Sequence, residues 1–112
     1  MDCSQIALKF IRLQIANRKR HGKKLLNPAY IIRYAEKTSF PVTEIENFFN
    51  RFTLEDDPIC ADKDYHIALA VVKAQSGNYQ KKFLDENYFK NLSLQMDVEV
   101  KLLKDFFNAI FS

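Results

Sequence analysis

Ile45, Phe48, Phe49 and Phe52 fall three and four residues apart, and Val100, Leu103, Phe106, Phe107 and Ile110 repeat that spacing near the end of the chain. An α-helix returns a side chain to the same side about every 3.6 residues, so each set forms one apolar stripe that has to be covered by another element. Ile67–Val72 is a run of six apolar residues. As a helix it is apolar nearly all round and belongs at the centre of a bundle. Two glycines and three prolines in 112 residues leave few sharp turns, and ten Phe and five Tyr supply a large core without any Trp. The pattern predicts an all-α fold: a compact bundle of five or six helices formed by residues 1–112 as one domain.

Local signals place the elements. A first helix is expected from Ser4, as N-cap, to about Arg18, with Ile6, Phe10, Leu13 and Ile15 inward and His21-Gly22 as its end. Asn27-Pro28 opens a second helix, because Asn caps the free amides and Pro gives up an N–H that has no partner there. It runs to Thr38, and Ser39-Phe40-Pro41 is a turn. Thr43 and Glu46 have capping-box spacing for the third helix, and residues 53–58 are expected to be a loop. A fourth helix covers 62–75, Ser76-Gly77-Asn78 breaks the chain, and an extra turn fits Tyr79–Phe83. A fifth helix runs from near Asp85 to Met96, and Asp97 is expected to cap the sixth. Shifted by 58 residues, Tyr30, Val42, Ile45, Phe48, Phe49 and Asn50 match Tyr88, Val100, Leu103, Phe106, Phe107 and Asn108.

Most chemistry is excluded by residue type and spacing. His21 and His66 are isolated, and no His/Cys/Asp group has zinc spacing. Asp56, Asp57, Asp62 and Asp64 lack the central Gly and terminal Glu of a calcium loop. Neither Gly belongs to a phosphate-cradling loop, and no Ser or Cys sits in a nucleophile elbow. The expectation is a non-enzyme with no catalytic residue, metal, cofactor or small-molecule substrate. Cys3 and Cys60 read as reduced packing residues. With no signal-peptide pattern and no apolar run long enough to span a bilayer, the expected location is the cytoplasm, or a host interior for a delivered protein.

Charge divides unevenly. Residues 1–52 hold ten Lys/Arg against four Asp/Glu, whereas residues 53–112 hold seven against ten. Arg18, Lys19, Arg20, Lys23 and Lys24 crowd into seven positions. That density suits backbone phosphates. It also suits a solvated helix end, where cations complement the dipole.

Tyr34–Phe49 resembles a helix-turn-helix, and the resemblance extends from Ile31 to Arg51. Ala35 stands where that family has a small residue for close approach, Phe40 follows the turn, and Ile45 and Phe48 anchor the second helix. Asn47-Phe48-Phe49 is similar to part of a homeodomain-like recognition helix. Ser39 replaces the usual turn Gly, Thr38 an apolar residue, and Arg51 stands where homeodomains carry their adenine-reading Asn. The resemblance implies that Thr43, Glu46, Asn47, Asn50 and Arg51 face a nucleic acid, where Asn can read adenine and Arg guanine. The resulting expectation is a small nucleic-acid-binding regulator. The alternative is a helical interaction module, an adaptor or inhibitor of the kind phages and pathogens encode, or a homodimer. It is motivated by Tyr30, Tyr79, Phe83, Tyr88, Phe89 and Phe111, more aromatic surface than a bundle this small obviously buries. A third reading lays the first helix on a membrane surface through Ile6, Phe10 and Ile11, flanked by Lys9, Arg12 and Arg18.

Overall fold

Six α-helices account for the described residues, 1–75 and 85–111, of a computed structural model, and no strand occurs among them. They are α1 (Cys3–Arg20), α2 (Pro28–Thr38), α3 (Val42–Leu54), α4 (Asp62–Ala74), α5 (Glu86–Met96) and α6 (Val100–Phe111). The expected helix break at 76–78 and the turn at 79–83 lie outside the described residues, as do Tyr79 and Phe83.

α1 and α4 share the most extensive helix–helix contact among the described residues. α2 lies against α3 and α4, and α5 against α6 and α1. Ile67, Ala68, Val71 and Val72 of α4 are buried, as its all-round apolarity requires. Both apolar stripes point inward: Ile45, Phe48 and Phe49 of α3 and Leu103, Phe106 and Phe107 of α6 are each at most 3% exposed. One core draws on all six helices. Ile6, Phe10 and Ile11 lie within it, which removes the apolar face that a membrane-surface role for α1 needs. No described helix is long and apolar enough to cross a membrane.

Several boundaries differ from expectation. α1 starts two residues early, with Asp2 rather than Ser4 as its N-cap. The Asp2 carboxylate accepts the Gln5 amide at 2.9 Å and the Ser4 hydroxyl at 2.7 Å, while the Gln5 side chain accepts the Asp2 amide. Cys3 is exposed and does not pack in the core; Cys60 is half-buried against it, and both are free thiols. α3 begins at Val42, so Thr43 already lies inside the helix. Its N-cap, Pro41, makes no side-chain bond, and the Thr43–Glu46 box does not form. α3 also continues through buried Thr53 to Leu54, shortening the expected loop. Asp97 does not cap α6. It closes α5 in the left-handed region at φ 56°, a conformation that a short polar side chain tolerates.

The 58-residue shift is more exact in the backbone than in the residues. It carries α2 (28–38) onto α5 (86–96) and the first residue of α3 onto that of α6. It carries Asn27 onto Asp85, each an N-cap whose side chain accepts the amide two residues on. It also carries Ser39 (φ 64°) onto Asp97, the two non-glycine residues with positive φ among those described. Each pair is thus a helix, a three-residue turn entered through a left-handed residue, and a second helix.

The α1 cap has a pH signature. The Ser4 hydroxyl and then the Gln5 amide favour the charged form and hold the Asp2 pKa below its ordinary 3.8. A depressed carboxylate pKa stabilises the fold fully above the unfolded value, and the contribution is lost as pH falls through the folded one. Thermal melts of Asp2→Ala are therefore expected to lie below wild type at neutral pH. The gap should shrink under acid conditions that protonate Asp2; a gap independent of pH contradicts the assignment.

Candidate nucleic-acid interface

The end of α1, the loop 21–27 and α2 carry most of the cations of the basic first half. His21 closes α1, and Gly22 turns the chain at φ 80°, where a side chain is rarely tolerated. The Arg18 guanidinium donates to the Leu25 carbonyl at 2.6 Å and the Lys23 amide to the Arg18 carbonyl at 2.9 Å, so the loop folds back on the helix end. Lys19, Arg20, Lys23 and Lys24 project from this frame and are exposed; Arg18 is half-buried.

α2 adds two cations outside the cluster at residues 18–24, Arg33 and Lys37. Tyr30, Arg33 and Lys37 are three and four residues apart, all exposed, while Ile31 and Ala35 face the core. The Arg33 guanidinium lies over the Tyr30 ring, 5.3 Å from its centroid. Residues 18–37 thus carry seven Lys/Arg and one carboxylate, Glu36. The four ion pairs among the described residues, Arg12–Asp57, Arg51–Asp64, Lys63–Glu44 and Lys104–Glu86, all lie outside this stretch.

The fold does not require these charges. At the positions of Arg33 and Lys37, the second helix pair carries Asn91 and Gln95 on the same backbone frame.

α3 presents a weaker face. Thr43, Glu46 and Asn47 are exposed and Asn50 is half-buried. Arg51 does not project freely as expected: its guanidinium pairs with Asp64, which is 4% exposed and also accepts the Ala61 amide at 2.8 Å. Glu44 pairs with Lys63 of α4. What remains on the outer side is one carboxylate and a few neutral side chains. Of the five clustered cations, Arg18 and Lys23 line one groove with Tyr30, whereas Lys19 borders a different hollow beside Lys9, Arg12 and Asp56; Arg51 is paired with Asp64. The signal for the two missed cations was their spacing on the side of α2 away from Ile31.

Of the surplus aromatics, Phe89 is buried, Tyr88 is half-buried and Tyr30 is 46% exposed. Among the described residues no group of three or more His, Cys, Asp or Glu is arranged to hold a metal ion.

Comparison with protein families, with characterised proteins and with solved structures finds no match.

Proposed function

We propose that this protein binds nucleic acid through phosphate contacts to the surface made by the end of α1, the loop 21–27 and α2. The observation that carries this reading is the stretch 18–37, with seven cations, one carboxylate and no ion pair to any of the described residues. Uncompensated cations on one face raise the local potential and attract a polyanion. Each phosphate they neutralise releases condensed counterions, which supplies affinity without sequence information. Some cations outside the stretch have partners within the fold, as with Arg12 on Asp57 and Lys9 donating to the Met96 carbonyl, while Lys73, Lys90 and Lys101 are exposed. In this reading the helix-turn-helix-like pair α2–α3 supplies a rigid frame. α3 adds at most neutral contacts from Thr43, Asn47 and Asn50.

The reading is tested by two multiple variants. In one, Lys19, Arg20, Lys23 and Lys24 become Ala while Arg18 is kept, because Arg18 also anchors the loop. In the other, Thr43, Asn47 and Asn50 become Ala. By fluorescence anisotropy at low salt, the first is expected to weaken binding to labelled oligonucleotides on the order of 100-fold, the second by a few-fold at most. Equal affinity of the first variant and wild type would contradict the proposal.

A further inference from the structure

Between the end of α1 and the start of α2 the basic surface is concave. An open groove of about 580 Å³ is bounded by Arg18, Lys23, Leu25, Leu26, Pro28 and Tyr30. That is within the roughly 300–1,000 Å³ of sites that accommodate small-molecule-sized groups. A second hollow sharing Arg18, Lys23, Leu26 and Tyr30 continues it toward Tyr34 and Phe49.

We propose that this groove holds single-stranded nucleic acid, with an unpaired base stacked on the Tyr30–Arg33 pair and the adjoining phosphates on Arg18, Lys23 and Lys24. The proposal rests on the nucleic-acid reading above and specifies the form of the target.

Two features separate a single strand from a duplex. A duplex hides the faces of its bases and is read along their edges by an element that enters a groove. α3 would be that element, but its Arg51 is committed to Asp64, and Glu46 would meet the phosphates with like charge. A single strand instead offers base faces, and aromatic or guanidinium planes beside a cationic track bind them whatever the sequence. Tyr30 is 46% exposed at the groove, with the Arg33 guanidinium over its ring. The apolar sides of the groove, Leu25, Leu26 and Pro28, suit the base and sugar better than the phosphates.

The test uses the full chain with a labelled single strand of about 12 nucleotides, within the range that such sites cover, and a duplex of the same length. Wild type is expected to bind the single strand more tightly. Tyr30→Ala should weaken single-strand binding by at least about 5-fold, the lower end of the effect of removing one stacking ring. It should leave duplex binding within about 2-fold, and Tyr30→Phe, which keeps the ring, should bind as wild type. Circular dichroism melts establish that each variant is folded. Duplex bound as tightly as the single strand, or a folded Tyr30→Ala that binds the single strand as wild type does, would overturn the proposal while leaving the phosphate-contact reading intact. No binding to either form would remove both.

Discussion

Arg51→Ala is expected to cost the domain about 3 kcal/mol of stability and to leave nucleic-acid affinity unchanged. Asp64 is 4% exposed, at the start of α4, and holds two partners: the Arg51 guanidinium from α3 and the Ala61 amide. Removing the guanidinium leaves a carboxylate out of water with one amide donor. Breaking a buried pair from one side costs about 3–5 kcal/mol, and the lower figure applies because the Arg51 side chain is 35% exposed. Replacing both Arg51 and Asp64 should be less harmful than replacing Arg51 alone, since no buried charge is then stranded. Denaturant melts measure the stability change, and anisotropy under folding conditions measures binding. A folded Arg51→Ala protein with affinity reduced about 10-fold or more would instead make Arg51 a base- or phosphate-contacting residue.

The largest single effect on stability is expected at Phe107. Its ring meets Phe10 of α1 edge-on at 5.5 Å between centroids, Phe106 at 5.1 Å and Phe89 of α5 at 5.9 Å. It is 1% exposed and fastens the second helix pair onto α1. Phe107→Ala removes the ring and opens a cavity where three elements meet, at a cost of about 3–5 kcal/mol. Domains of this size are stable by about 5–15 kcal/mol, so the variant should melt far below wild type or be partly unfolded at room temperature. Phe107→Leu keeps much of the volume and should lose distinctly less. Equal losses for the two would mean that ring packing does not hold this junction.

Much of the fold is legible because helix-forming signals are local. The stripes of α3 and α6 are unbroken at three-and-four spacing, and Asn27-Pro28 leaves little choice of start. Errors cluster where two residues compete for one role. Asp2 and Ser4 can both cap, and the choice falls to Asp2 because Gln5 sits at the right distance to complete the box. Asp97 is as good at leaving a helix in the left-handed region as at starting the next, and only the packed backbone decides. The repeat shows the same limit from the other side. Ser39 and Asp97 share a conformation but not a residue type, so the clearest mark of equivalence between the two pairs is not written in letters.

The candidate interface was legible only in part. Five clustered cations in seven positions are visible in any reading. Arg33 and Lys37 are not, because their meaning depends on which side of α2 faces outward. Arg51 is the opposite case. Its helical position matches the exposed face, and its partner Asp64 is thirteen residues away on another helix.

The central claim is that uncompensated cations of residues 18–37 bind a polyanion, and its most direct test is the salt dependence of wild-type binding to a random-sequence oligonucleotide. A plot of log affinity against log salt should fall steeply, with a slope magnitude of roughly 3–5, as several phosphate contacts release counterions. That slope should drop by about one for each of Lys19, Arg20, Lys23 and Lys24 replaced by Ala. An affinity that is flat in salt, or absent at low salt, would contradict the account and direct attention to a protein partner.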